Sequence, residues 1–251
     1  MTGQDGAWRK VVGVSGHLNP GGQQFRDDHG AADPRVAAAL AAFLAGRGSE
    51  QAALTALAAA RLLVPVVAVL ADGSASSDGD KNSDVVLPTL IGRDGRPAVL
   101  AFTGLDALAR WRPNARPVPA EADQVWRAAV ADRCAVVIDV AGPVPLAVEG
   151  ARLEALAAGQ PVPPAHEDPD VRAEVEAAVT GEPVIAGFSL SPSQQADLAV
   201  RLRLAGLRPA AGEPENWQTA VSRVANSIAA RLAGRLRRGI EFSVTRDAVG
   251  S

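Results

Sequence analysis

The sequence predicts a mixed α/β protein: a mixed sheet with a β-hairpin flanked by helices, followed by a smaller C-terminal α/β module. Three observations predict this fold class. Short apolar runs rich in β-branched residues alternate with segments of helical periodicity. The dipeptide Asp94-Gly95 separates two apolar runs, as a tight hairpin turn requires. A proline-rich stretch at residues 160–170 divides the chain into a larger and a smaller part.

Two helices are predicted before the first strand. Residues 1–30 are rich in glycine and show no periodicity, which is typical of a flexible tail. Asp33 followed by Pro34 predicts a helix start, because the carboxylate caps free amides and proline fits the first turn. Glycines 46 and 48 end this helix, and Ser49 caps a second one that continues to Arg61.

The first predicted strand, Leu62–Leu70, is apolar on both faces and should be central in a sheet. Within it Pro65 requires a bulge or an edge position, because proline donates no hydrogen bond. The polar segment 71–84 is predicted to be a loop. Val85–Ile91 and Arg96–Phe102 then form the hairpin around Asp94-Gly95.

Thr103 is expected to cap a helix over Gly104–Trp111. The elements that follow in the first domain are a helix at Ala120–Arg133, a buried strand at Cys134–Val140, a short strand at Leu146–Val148 and a helix that ends at Gly159.

Residues 160–170 have the composition of a stiff linker, so the predicted domains are 31–159 and 171–251. In the second domain Ser191 and Pro192 indicate the start of a helix. The elements predicted there are helices at 171–180, 192–205 and 217–238, and strands at 184–190 and 240–245.

Composition excludes several classes of protein. A net charge of −3 excludes the strong basic field of a general nucleic-acid binder. The single cysteine, Cys134, cannot form an intramolecular disulfide, and the N-terminus lacks the apolar run of a signal peptide. The longest apolar run, Leu62–Ala71, is about half of a membrane span. We expect a cytoplasmic protein with no membrane segment, and the excess of Arg over Lys indicates a GC-rich bacterial genome.

Four sequence segments carry a resemblance to a known family: the strand Val64-Pro65-Val66, the Leu-Pro-Thr at 87–89, the F-T-x-L-x-x-L-x-x-W pattern at 102–111, and VVID-x-x-GP-x-P at 136–145. Together they resemble the SseB N-terminal-domain family over about residues 33–158. The resemblance implies a small mixed α/β module with no agreed catalytic residues. Many members have a turn closer to Asn-Pro-Gly where this chain has Asp139–Pro143.

Side chains that usually carry chemistry do not converge in the sequence. His17, His29 and His166 fall in the predicted tail or linker without the spacing of metal ligands, so no metal is predicted. Cys134 opens a strand and lacks the amide-lined loop of a sulfurtransferase cysteine, although some sulfurtransferases share the SseB name. The charged run Asp27–Asp33 is predicted to be solvated. No cofactor and no catalytic residue are assigned.

Two candidate sites remain. Thr103 and Asp139 both follow buried strands, where α/β proteins place ligands, and together they predict a pocket for a small molecule. Asp139 is also suited to forming the turn that follows it. Arg231, Arg235 and Arg238 flank the apolar stripe of the last helix and are candidates for binding a partner. The same arginines also favour the helix C-terminus by complementing its dipole.

The leading hypothesis is a non-enzymatic interaction or regulatory protein with a protein partner, whose identity and stoichiometry the sequence does not specify. One alternative is a small-molecule sensor or enzyme with its ligand near Thr103 and Asp139. The other is a ribosome- or RNA-associated factor that binds through the three arginines, with an affinity that falls steeply as salt rises.

Overall fold

The computed structural model describes residues 14–18, 25, 28–66, 85–87, 89–91, 95–142, 145–205 and 217–246. The chain divides into two compact units. The first comprises Met1–Ala38 and Thr55–Val162, and the second comprises Ala39–Leu54 and Pro163–Ser251. The predicted loop at 71–84 lies outside the described residues. Within the described ranges, none of the helices has both the length and the apolar character needed to cross a membrane.

The elements up to residue 162 are, in chain order, β1 Val14–Leu18, α1 Pro34–Leu44, α2 Glu50–Leu57, β2 Arg61–Val66, β3 Val85–Leu87, β4 Thr89–Ile91, β5 Pro97–Ala101, α3 Leu105–Trp111, β6 Arg116–Glu121, α4 Ala122–Ala131, β7 Ala135–Ile138, β8 Leu146–Val148 and α5 Gly150–Ala157. The remaining elements are α6 Pro169–Val179, β9 Ile185–Ser191, β10 Leu198–Leu204, α7 Trp217–Leu232 and β11 Ile240–Arg246. The predicted mixed α/β class is confirmed.

Local capping sets the boundaries of α1 and α2, as the sequence predicts. The Asp33 carboxylate accepts a hydrogen bond from the Arg35 amide at 2.7 Å, and the Ser49 hydroxyl accepts one from the Ala52 amide at 3.2 Å. Gly46 ends α1 with a φ of +66°, in the left-handed region that favours glycine. β1 lies inside the segment predicted to be a flexible tail and pairs antiparallel with β3.

A four-stranded sheet in the order β4-β5-β7-β8 forms the centre of the first unit. The predicted hairpin around Asp94-Gly95 is the antiparallel pair β4 and β5, with Gly95 at a φ of +78°. β5 and β7 are parallel, and β8 pairs antiparallel with β7. Because parallel strands end at the same edge, the residues after Ala101 and after Ile138 are neighbours.

Pro65 lies within β2 without a bulge. Its nitrogen, which carries no hydrogen, faces away from the paired strand β6. β2 pairs antiparallel with β6, and Pro65 lies opposite Pro117. The Leu63 amide donates to the Phe102 carbonyl at 2.8 Å. Amides alternate in direction along a strand, so Pro65 shares the direction of Leu63, and the β6 ladder loses no bond at this position.

The second unit has a three-stranded sheet in the order β11-β10-β9. β9 is antiparallel to β10, whereas β11 is parallel to β10 and follows α7 in the chain. One face of this sheet packs against α6 and α7. The buried side chains at this core are Val171, Val175, Leu198, Val200, Leu202, Val224, Ile228, Leu232 and Leu236.

The helix predicted at 192–205 is wrong, because residues Leu198–Leu204 form strand β10. Ser191 and Pro192 suggested a helix start, but the Ser193 hydroxyl instead accepts hydrogen bonds from the amides of Gln195 and Ala196, which closes a short turn. The sequence LAVRLRL alternates apolar and polar positions, which is the period of a strand with one buried face. Burial of that face outweighs the local preference for a helix.

The last helix is shorter than predicted. α7 ends at Leu232 rather than Arg238, and the chain turns through residues 233–239 before β11. The amide of Leu236 still donates to the Leu232 carbonyl at 2.9 Å, and Gly239 adopts a φ of +91°. Arg235 and Arg238 therefore lie in this turn, beyond the helix.

Candidate functional site

Thr103 and Asp139 are brought together at the carboxyl ends of the parallel strands β5 and β7. The Thr103 amide donates to Asp139 Oδ1 at 2.9 Å, and its hydroxyl donates to Oδ2 at 2.8 Å. The amide of Asp139 donates to the Ala101 carbonyl at 3.0 Å. Asp139 holds a φ of +50°, which is unusual for a residue other than glycine. This pair joins the two strand ends directly.

The carbonyl of Thr103 is also paired, with the guanidinium of Arg61. Arg61 Nη1 donates to this oxygen at 3.1 Å, while its Nε lies 2.7 Å from Asp28 Oδ2. Asp28 was predicted to be solvated, but its side chain is only 17% exposed and accepts the amide of Gly30 at 2.8 Å. Thr103 does not cap α3, since its hydroxyl is bonded to Asp139 and the residue before the helix is Gly104.

Burial raises the pKa of Asp139 above its ordinary value. The two hydrogen bonds from Thr103 and the charge of Arg110 act in the opposite direction without cancelling the burial. Each oxygen of the carboxylate has a protein partner, and all three polar groups of Thr103 have one. The arrangement is suited to closing the edge of the sheet.

Arg235 lies at the centre of an ion network in the second unit. Its Nε is 3.1 Å from Glu50 Oε2, and its Nη2 is 2.5 Å from Asp168 Oδ2. The other Asp168 oxygen caps α6 through the amide of Asp170 at 2.8 Å. Burial alone would lower the pKa of Arg235, but Glu50 and Asp168 outweigh it and raise the pKa. Asp168 is 1% exposed, although residues 160–170 have the composition of a linker.

The other two arginines proposed from the sequence also have acidic partners. Arg231 Nη1 lies 2.8 Å from Glu174 Oε2 at the surface. The Arg238 amide donates to Asp197 Oδ2 at 2.8 Å, and its Nη2 donates to the Gln194 carbonyl at 3.0 Å. These arginines are therefore not a cluster of unpaired cations.

The outer face of the three-stranded sheet carries two arginines that the sequence analysis missed. We define the outer face as the side of β9, β10 and β11 opposite the core, with Arg201 and Arg203 exposed on its central strand. Ser189 and Ser243 flank Arg201 in register. Within the described residues the side chain of Arg201 makes no hydrogen bond or ion pair. The alternation in LAVRLRL was the signal for this face, and the helix assignment concealed it.

Arg203 is held more closely than Arg201. Its Nη2 lies 3.4 Å from the Ala186 carbonyl oxygen. Its guanidinium lies over Gly187, where an added Cβ would be 3.0 Å from Nη2. Thr245 flanks it on the other neighbouring strand. Glycine at 187 therefore leaves room for the guanidinium to lie flat on the sheet.

Histidine and cysteine side chains do not converge with other metal ligands in the described part of the chain. No group of three or more His, Cys, Asp or Glu side chains is close enough there to hold a metal ion. His29 is exposed, and His166 lies 3.4 Å from Glu167. The side chain of His17 lies outside the described residues.

Cys134 is expected to react slowly with iodoacetamide in the native protein. Its thiol is buried, and burial together with the charge of Asp132 raises its pKa. Mass spectrometry of native and unfolded samples at neutral pH measures the two alkylation rates. We expect the unfolded protein to react about tenfold faster or more. Equal rates would contradict a protected thiol.

The first unit is thus a mixed α/β domain whose parallel central strands are joined at their carboxyl ends by Thr103 and Asp139. Residues 36–155 match the model of the SseB protein N-terminal domain. This part of the chain is therefore an SseB N-terminal domain, as its sequence motifs indicate. No curated protein and no solved structure matches the chain.

Proposed function

We propose that the chain is a non-enzymatic interaction protein, and that the outer face binds an extended acidic segment of a partner protein. One observation carries this proposal: Arg201 and Arg203 lie exposed on the central strand, and the guanidinium of Arg201 has no partner among the described residues. An unpaired guanidinium in a row of hydroxyls offers several donors and favours a carboxylate ligand.

The spacing of the two arginines selects the shape of the partner. Residues two apart on a strand lie on the same face, about 7 Å from each other. An extended acidic segment repeats its own side chains at the same interval, so two of its carboxylates can meet Arg201 and Arg203 together. The hydroxyls of Ser189, Ser243 and Thr245 add donors on both sides. Charge and spacing therefore match such a segment.

A protein partner is favoured over a nucleic acid by the composition of the outer face. Its outward positions carry no aromatic side chain on which a base could stack; they are Gly187, Ser189, Ser191, Ala199, Arg201, Arg203, Glu241, Ser243 and Thr245. The net charge of −3 also disfavours a polyanion with many phosphates. Arg231, Arg235 and Arg238 would have to leave their acidic partners to contribute.

The enzymatic alternative has less support from the contacts of Thr103 and Asp139. A general acid or base needs a free position facing its substrate. Both Asp139 oxygens accept bonds from Thr103, so a substrate would have to replace one of them. These contacts favour a structural role for Thr103 and Asp139, so the interaction proposal has the stronger support.

Replacing Arg201 and Arg203 together with serine is expected to weaken binding of an extended acidic peptide. The probe is a short peptide with glutamate at alternate positions, titrated into the isotopically labelled full-length protein. Two exposed charge pairs contribute about 0.2–1 kcal/mol each, so we expect a loss of about fivefold. Nuclear magnetic resonance should show saturable shifts at the amides of Arg201, Arg203 and Ser243 in the unmodified protein.

The matched control replaces Arg35 and Arg47 with serine, which removes the same charge from two exposed positions. This control should bind the peptide like the unmodified protein. Equal loss in both variants, or stronger shifts with an oligoribonucleotide of equal charge, would overturn the proposal. With the peptide site established, the same variants distinguish a true partner among proteins recovered from a nuclease-treated lysate.

A further inference from the structure

The second unit also has a concave surface that is separate from the outer face. It is a groove of about 420 Å³, within the range of about 300–1,000 Å³ typical of small-molecule sites. Three segments form its walls: the end of α1 with the following turn, the last part of α7, and the turn before β11. The apolar side chains that line it are Leu44, Ala45, Ala229, Leu232, Ala233, Leu236 and Ile240.

Small residues create the hollow. Ala229 and Ala233 are exposed at its rim. Gly46 lies on the opposite wall, where an added Cβ would be 3.1 Å from the Arg237 carbonyl oxygen. Glycine thus allows the turn after α1 to approach the turn before β11 closely. A larger side chain at any of these positions would reduce the space.

Among the described residues, Arg237 is the only charged one that lines the groove. Its Nε is buried and has no hydrogen-bond partner in the described part of the chain. Its guanidinium carbon lies 5.5 Å from the centre of the Phe43 ring, which is itself fully buried. Unlike Arg231, Arg235 and Arg238, it has no carboxylate partner among the described residues. Within the described residues, no carboxylate therefore balances the charge of this guanidinium.

We propose that this groove binds a small amphiphilic carboxylate, with the acid on Arg237 and an aliphatic chain along the alanine and leucine side chains. A carboxylate supplies the acceptor that the guanidinium lacks, and the aliphatic part covers the apolar wall. The described residues that line the groove include no acidic side chain that would repel the acid. This inference does not depend on the outer face, because none of the lining residues belongs to it.

Octanoate is expected to bind the full-length protein, and 1-octanol to bind at least about tenfold more weakly, because only the acid pairs with Arg237. Titration calorimetry measures both affinities. Arg237→Met keeps the apolar stem and removes the charge, so it should abolish the preference for the acid. Ala233→Phe should occlude the groove and remove binding of both compounds.

Arg201→Met is the matched control, because it removes an exposed arginine of the same unit outside the groove. It should leave octanoate binding unchanged. Arg237→Met also removes an unpaired buried donor, so without ligand its midpoint of thermal unfolding should be equal to that of the unmodified protein or higher. The proposal is overturned if octanoate and octanol bind equally, if neither saturates, or if Arg237→Met retains the preference.

Discussion

Replacing Arg235 with alanine is expected to lower the free energy of unfolding by about 3–5 kcal/mol, the largest effect of any single change considered. The change leaves two carboxylates, on Glu50 and Asp168, without their cation. Asp168 is 1% exposed and Glu50 is 7% exposed, so both carboxylates would lose their guanidinium partner in a largely desolvated position. Chemical denaturation of the full-length protein, followed by tryptophan fluorescence and circular dichroism, measures the loss.

Arg231→Ala is the matched control, because Arg231 makes an ion pair with Glu174 at the surface. That variant should lose about 1 kcal/mol or less. Changing Arg235 to Met together with Glu50→Gln and Asp168→Asn should recover much of the stability, because no charge is then left buried, and asparagine still caps α6. Equal losses for Arg235→Ala and Arg231→Ala would show that the network does not depend on burial.

Asp139→Ala is expected to cost about 2–4 kcal/mol of unfolding free energy. Alanine accepts neither the amide nor the hydroxyl of Thr103, and Thr103 is only 8% exposed. Alanine also tolerates the φ of +50° poorly. Both losses act at the same strand edge, where β5 and β7 end side by side. Denaturant titration at neutral pH measures the cost.

Asp139→Asn separates the structural role of this residue from its charge. The amide oxygen can accept the Thr103 N–H, the amide nitrogen can donate to the Thr103 hydroxyl, and asparagine tolerates a positive φ. We expect a change of about 1 kcal/mol or less near neutral pH. A loss as large as that of alanine would show that the ionised carboxylate itself is required.

The free energy of unfolding of the unmodified protein, relative to that of Asp139→Asn, should depend on pH. Burial raises the pKa of Asp139 in the folded protein, so the folded state binds the proton more tightly than the unfolded state. Protonation of Asp139 therefore contributes no stability at pH values above its pKa in the folded state. This contribution is gained as pH falls through that value and is complete below the ordinary value of about 3.9. Relative to Asp139→Asn, the unmodified protein should gain stability as the solution is acidified. A relative loss would contradict the direction of the shift.

Much of the fold follows from signals that act over a few residues. Asp33 and Ser49 cap helices through amides two and three residues away. Gly95 permits the turn between β4 and β5. These interactions require little from the rest of the chain, so the sequence is sufficient to predict them. The position of Thr103 next to Asp139 also follows, because both residues end strands that the pattern identifies as buried.

The partners of the arginines could not be predicted, because they depend on residues far apart in the chain. Glu50 and Arg235 are separated by 185 positions, and periodicity carries no information about such a pair. The segment Ala39–Leu54 likewise belongs to the second unit because of contacts with residues that are distant in the sequence. Strand β10 was missed for another reason. The Ser-Pro pair and several residues of high helix propensity favoured a helix, and the alternation that indicates a strand covers only seven residues.

The prolines of β6 make its outer edge a poor partner for an additional strand. Pro117 and Pro119 occupy alternate positions, opposite Pro65 and Leu63 on β2. Their nitrogens face away from β2, on the side where a strand from another molecule would have to add. Neither nitrogen carries a hydrogen, so an incoming strand finds no donor at two successive outward positions. This edge therefore resists intermolecular strand addition while its bonds to β2 remain intact.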